Sequence, residues 1–212
     1  LGIARDAAFG FYYPDDLDAL EDAGCDLVPI NMISDAKLPD IDALFIGGGF
    51  PETQMEALGA NQTMRESVRQ AIKDGLPVYA ECGGLMYLCR TLRWGDKVAP
   101  MVGAIEADAV MHEKPQGRGY VAFYPNPAHL WGAEFMTRKA HEFHYASIEG
   151  LPDTTVYARD VQRGHGIDGK HDGIVVHNTV AGFTHLRNTW PSPWVSRWVD
   201  FIRRVKATKN PA

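Results

Sequence analysis

Pro77-Val78-Tyr79-Ala80-Glu81-Cys82-Gly83-Gly84-Leu85-Met86 is the stretch on which the fold turns. Residues 77–80 read as a strand, 84–92 as the helix that follows, and Cys82 as the apex of the tight turn between them. Ala80 and Gly84 flank the cysteine two residues to either side, the small-x-nucleophile-x-small spacing of a nucleophile elbow. The reason is steric. A strand that reverses this sharply brings backbone against backbone, so only small residues fit, and the apex side chain projects from the end of the sheet. The first turn of the helix then aims its free N–H groups and positive dipole end at the sulfur, favouring thiolate, the attacking species. A lone cysteine is more often a buried packing residue; the strand, turn and glycines argue for a nucleophile. Cys25, just past a helix-ending glycine, and Cys89, within the helix after the elbow, lack that setting and read as packing residues.

Outward from this point, strands and helices alternate. Residues 1–4, 26–30 and 43–46 are short apolar runs. Residues 14–23 open with Pro14 and acids, carry Leu17 and Leu20 on one face and close at Gly24, which are helix start and stop signals. Residues 64–74 place Val68, Ala71 and Ile72 inward and stop at Gly75. Such alternation predicts an α/β domain with a mostly parallel sheet flanked by helices. From 98 to about 184 the pattern changes to short alternating runs rich in Gly, Pro and His, such as 120–123 and 173–176, which predict a β-rich elaboration with long loops. A last helix is expected from Trp194, Trp198, Phe201, Ile202 and Val205 at helical spacing.

The 212 residues suffice for one large domain, and 45% apolar with 23% charged residues exclude global disorder. A net charge of −6 without a basic stretch argues against nucleic acid as a partner. Three cysteines, an odd number without zinc spacing, fit free thiols in a reducing, cytoplasmic setting. There is no signal peptide and no run of about 18 apolar residues, so no membrane partner is expected. The chain starts at Leu1 within a strand, which reads as a piece of a longer polypeptide.

A thiol that attacks an acyl carbon needs oxyanion donors and a base. Gly47-Gly48-Gly49-Phe50-Pro51-Glu52 follows a strand ending at the same sheet edge, so one backbone donor is expected at Gly48 or Gly49 and the other at Gly83. The triplet also fits an ordinary tight turn, but it lacks the spacing of a dinucleotide fingerprint. Among eight histidines, His185 lies past a strand-like run and ahead of the last helix, the chain position of a base that follows its nucleophile. His141 and His144 compete for that role. On a strand their spacing puts them on opposite faces, and with no third ligand evident no metal site is expected.

Five ordered motifs carry a resemblance across nearly the whole chain. They are Ala4-Arg5-Asp6-Ala7-Ala8-Phe9-Gly10-Phe11-Tyr12-Tyr13-Pro14, residues 47–52, the elbow at 79–87, His141-Glu142-Phe143-His144-Tyr145, and Thr184-His185-Leu186. Together they resemble the C-terminal glutaminase domain of the cobyrinic acid a,c-diamide synthase family. The resemblance implies a class I glutamine amidotransferase-like, flavodoxin-like fold over residues 1–212. It further implies glutamine hydrolysis through a thioester on Cys82, with His185 as its base. The released ammonia would amidate acetate carboxylates of a tetrapyrrole, corrinoid or sirohaem-type. Implied partners are glutamine, an N-terminal ATP-binding synthetase domain using ATP and Mg2+, and the tetrapyrrole through that domain; a homodimer is left open. No cofactor is expected within this chain, and no Gly-x-x-x-x-Gly-Lys-Ser/Thr phosphate loop occurs in it. Many class I relatives carry a carboxylate two residues after the catalytic histidine. Here that position is Arg187, which implies a Cys–His dyad. The alternatives are a non-catalytic docking domain, which would be expected to lack the cysteine or histidine, and a cysteine hydrolase on the same elbow.

Overall fold

The computed structural model describes residues 1–134, 136–189 and 193–209. In chain order the elements are β1 (Gly2–Ala4), β2 (Phe9–Phe11), α1 (Pro14–Asp22), β3 (Val28–Ile30), β4 (Leu44–Ile46), β5 (Gly48–Gly49), α2 (Met55–Ala60), α3 (Gln62–Lys73), β6 (Val78–Glu81), α4 (Gly83–Leu88), β7 (Thr91–Trp94), β8 (Lys97–Pro100), β9 (Asp108–Met111), β10 (Gly117–Pro125), β11 (Arg138–His144), β12 (Ala146–Glu149), β13 (Val156–Arg163), β14 (His171–Val176), β15 (Thr179–Gly182) and α5 (Trp194–Lys209). A short 3-10 turn, Pro51–Gln54, precedes α2.

Nine strands form one sheet in the order β11-β10-β13-β14-β15-β6-β4-β1-β3. From β15 to β3 the neighbours pair in parallel. From β15 to β11 they pair antiparallel. The β-rich second half thus continues the central sheet rather than only decorating it. Its strands β9 and β12 join β7 and β8 in a separate four-stranded sheet, β12-β9-β7-β8.

Both faces of the sheet are covered, as buried parallel strands require. On one face α1 and α5 pack Leu20, Trp194, Trp198, Val199 and Ile202 against Phe45 and Tyr79. On the other face lie α2, α3 and α4 with Leu58, Met64, Val68, Ile72 and Leu85, together with residues of the small sheet. The expected stop signals operate: Gly24 and Gly75 take φ of +85° and +79°, and each donates its N–H back into the helix it ends.

The helix after the elbow differs from its expected span of 84–92. It starts at Gly83 and ends at Leu88. Cys89 is its extended C-cap, not an interior residue, although it is fully buried. Thr91-Leu92-Arg93-Trp94 alternates, buries Leu92 and pairs with β8 and β9, so strand pairing overrides helical continuation.

The elbow depends on Gly84. A Cβ there would lie 2.2 Å from the carbonyl oxygen of Ile46, a backbone atom that cannot swing aside. Gly84→Ala is therefore expected to destabilise the fold by about 1–3 kcal/mol or more, as overpacking does. Urea unfolding checks this.

Candidate active site

Three adjacent parallel strands deliver the site residues to one sheet edge. β4 runs into Gly47-Gly48-Gly49, β6 into Cys82, and β15 into Phe183-Thr184-His185. Glu81 is the register partner of Gly182, and the Cys82 N–H donates to the Gly182 carbonyl at 2.8 Å. The carboxyl ends of such strands are where open α/β sheets hold ligands. Cys82 itself has φ +49° and ψ −101°, a conformation that costs a non-glycine residue about 1–3 kcal/mol. It caps α4, with its carbonyl accepting from the Met86 N–H.

The expected donors divide into two groups. A Cβ on Gly83 would lie 3.2 Å from the Gly49 nitrogen, so Gly49 and Gly83 stand backbone to backbone beside the elbow. Gly83, as the first helical residue, has no carbonyl one turn back to receive its N–H. Gly48 instead lies against the imidazole: a Cβ there would come within 2.6 Å of His185 Cε1.

His185 is held on several sides. Its backbone bridges to His141, donating to the His141 carbonyl at 2.8 Å, and the two rings stack at 4.9 Å and 18°. Its Nδ1 faces Glu81 Oε2 at 3.3 Å, leaving Nε2 as the nitrogen available to Cys82. Burial alone would push the His185 imidazolium down; hydrogen bonding to Cys82 and Glu81, and their charges, outweigh it and raise it to about 10. His185 thus sits between the Cys82 sulfur and the Glu81 carboxylate.

The carboxylate that meets His185 is Glu81, beside Cys82 in sequence and not two residues after the histidine. Its carboxylate is buried and accepts from the Tyr79 hydroxyl at 2.6 Å and the Leu186 N–H at 3.0 Å. Arg187, at the position where a carboxylate was sought, turns outward to Asp15 at 2.7 Å and lies over the Tyr13 ring. A strand-end carboxylate flanked by alanine and cysteine was the available signal, and sequence spacing alone did not single it out.

A cavity of ≈ 400 Å3 opens over Cys82, Glu81 and His185, with Tyr12, Tyr13, Asp16, Gly49 and Phe143 among its walls. That volume suits an amino-acid-sized ligand. The Tyr12 hydroxyl donates to the Ala4 carbonyl and accepts the Gly47 N–H at 3.0 Å, which ties the glycine loop to β1. Asp16, buried in the wall, is pushed up to about 7 by desolvation, against the pull of the Asn188 N–H at 2.6 Å and with the help of the Glu81 charge. His141 Nδ1 meets the Tyr13 hydroxyl at 3.1 Å. Burial, and then the neighbouring His185 charge, push the His141 imidazolium down. His144 lies buried, stacked on Phe183 at 3.7 Å with Nδ1 on the Ala146 carbonyl, and takes no place in the cavity wall.

The fold is class I glutamine amidotransferase-like. Solved structures of similar fold include a GMP synthase component from Thermoplasma acidophilum, at TM-score 0.65 and 17% identity, covering 98% of this chain and 94% of that one. PurLQS from Thermotoga maritima matches at TM-score 0.70 and 13% identity, with 97% of each chain covered. At the level of sequence, residues 1–189 match the CobB/CobQ-like glutamine amidotransferase domain, and the chain belongs to that family. Similar curated proteins are the cobyrinate a,c-diamide synthases of Magnetococcus marinus, 40% identical over the whole chain, and of Methanosarcina acetivorans, 37% identical over the whole chain. The chain spans 45% of the length of each.

The raised His185 has a consequence for stability. An imidazolium favoured in the folded state contributes fully below its ordinary value of 6.5, and that contribution is lost as pH climbs through about 10. Removing the Glu81 charge removes part of the cause. Unfolding free energy in urea, measured between pH 6 and pH 10, is expected to fall toward the alkaline end in the wild type and to fall less in Glu81→Gln.

Proposed function

We propose that this chain hydrolyses glutamine through a thioester on Cys82 and supplies the ammonia for amidation of tetrapyrrole acetate carboxylates. The observation that carries the reading is the Cys82–His185–Glu81 row at the foot of a cavity large enough for glutamine. The sulfur attacks the side-chain amide carbon and forms a C–S bond. The Gly83 N–H and the Gly49 region receive the developing oxyanion. His185 gives its proton to the amide nitrogen, the C–N bond breaks and ammonia leaves. A water then loses a proton to His185 and attacks the thioester. The C–S bond breaks, glutamate departs, and the sulfur and imidazolium are restored. Glu81 holds the imidazole with Nδ1 turned away from the sulfur.

The amidation half is carried by the relatives' name, cobyrinate a,c-diamide synthase, and by the extra length of those proteins. We place ATP, Mg2+ and activation of the carboxylate in a second, synthetase unit, since this chain carries no phosphate loop. Which acetates of which tetrapyrrole are amidated is decided in that unit.

Glutamate release from glutamine tests the glutaminase reading. Cys82→Ala and His185→Asn are each expected to lower the rate by about 10^3-fold or more. A glutamine-analogue diazo-ketone should label Cys82 and spare Cys25 and Cys89. Equal rates in wild type and Cys82→Ala would overturn the assignment.

A further inference from the structure

Behind Glu81, away from the cavity, lies a second row of polar groups in the core. Tyr79, Arg159 and Asp172 are all fully buried, an unusual state for an arginine and an aspartate. Asp172 on β14 and Arg159 on β13 are register partners, and Arg159 Nη1 donates to Asp172 Oδ2 at 3.0 Å. Arg159 Nη2 donates to the Tyr79 hydroxyl at 3.4 Å, and that hydroxyl donates to Glu81 Oε1 at 2.6 Å. The guanidinium lies near the rings of Phe123 and Tyr79, at 5.2 and 5.7 Å. Burial opposes its charge, but Tyr79 and Asp172 outweigh that and hold the cation firmly. Desolvation and the Glu81 charge raise the Tyr79 phenol well above its ordinary range, so it stays protonated and its O–H points at the carboxylate.

The far end of this row returns to the site. Asp172 accepts from the Phe183 N–H at 2.9 Å, the Thr184 N–H at 3.4 Å and the Thr184 hydroxyl, all in the segment that leads into His185. A Cβ on Gly182 would lie 2.5 Å from Asp172 Oδ2, so the glycine makes room for that carboxylate. On the other side of His185, the Leu186 N–H donates to Glu81. The backbone of the base is therefore clamped at 183–184 by Asp172 and at 186 by Glu81, and the two carboxylates are linked through Arg159 and Tyr79.

We infer that Tyr79 and Arg159 are positioning residues for the hydrolysis, setting the orientation of Glu81 toward His185 from inside the core. This rests on the glutaminase reading, but its structural content does not. The row alternates in sign: Asp172 negative, Arg159 positive, Tyr79 neutral, Glu81 negative, His185 positive. A buried ion pair alone is weak evidence for stability, since hydrophobic residues of similar size often serve as well. A row that ends on the orienting carboxylate and also anchors the base has a use that an isolated ion pair lacks. Without the Tyr79 hydroxyl, Glu81 keeps only the Leu186 N–H on Oε1 and is free to turn from Nδ1.

Tyr79→Phe is the test, because it removes one oxygen and leaves ring packing intact. Trp198→Phe loosens the same aromatic cluster, 5.8 Å from the Tyr79 ring, and removes none of the row's hydrogen bonds. The readout is the His185 imidazole titration by NMR, in folded protein and without glutamine. The groups facing His185 are Cys82 and Glu81 from the β6 end and His141 from β11. Tyr13 and Asp16 share its cavity, while Arg187 turns to Asp15. The expected result is a downward move of the His185 midpoint by about one pH unit in Tyr79→Phe, with kcat reduced about tenfold and KM within about twofold. Trp198→Phe should leave the midpoint in place. An unmoved midpoint in Tyr79→Phe, or an equal move in both variants, would overturn the inference. A wild type that releases no glutamate would instead overturn the glutaminase reading, and the titration would still decide the role of Tyr79.

Discussion

The site depends on backbone approaches that leave no room for a side-chain carbon. At Gly49 a Cβ would fall 1.9 Å from the Ala8 carbonyl oxygen, and at Gly84 2.2 Å from that of Ile46. Gly48 meets the edge of the imidazole, and Gly83 meets Pro51 and Gly49. At Gly49 and Gly84 a methyl group would push the two backbones apart by about an ångström. Misplacement of that size between reacting groups can cost about 10^2-fold in rate. Glycine is unfavourable in regular structure by about 0.5–1 kcal/mol relative to alanine. The cores on both faces of the sheet offset that, and the loops can then be as tight as the chemistry needs.

The same tightness explains how Cys82 holds a left-handed backbone. Its N–H is fixed to Gly182 across the β6–β15 pair, and its carbonyl receives the Met86 N–H of the helix it caps. With both flanking peptide groups committed, the residue between them has no relaxed conformation to fall into. Strain at such a position persists only where the surroundings over-determine it, and here they do: strand, turn and helix each fix one part. Cys82 is held almost wholly within the fold, 7% exposed, where the cavity reaches the elbow.

What sequence could and could not reveal follows from the range of each interaction. The elbow, the glycine stops at Gly24 and Gly75, and the amphipathic last helix are local, and their spacing was readable. His185, expected from its place in the chain order, lies beside Glu81 and against Gly48, with the His141 ring stacked on it. The early end of α4 was not readable, because pairing of Thr91–Trp94 with β8 and β9 is decided by strands that come later in the chain. Glu81 was silent for a related reason: its partner, His185, is 104 residues away, so no local spacing marks it. The buried Arg159–Asp172 pair was equally silent, since charged residues on alternating strands usually face water.

The placement of Glu81 changes how the three groups are held. Neighbouring strand residues point to opposite sides, so a carboxylate just before the cysteine cannot approach the sulfur along the chain. It can reach an imidazole that lies between the two. Glu81 ends β6 and Cys82 follows it directly, so the two are carried together and the histidine is the separate part to be registered. That registration is set by the parallel pairing of β6 with β15, in which Glu81 and Gly182 are partners. A carboxylate two residues after the histidine would instead move with the base and leave the nucleophile to be aligned independently. Here the surface position at 187 carries no such duty, and an arginine paired with Asp15 can occupy it at no cost to the row.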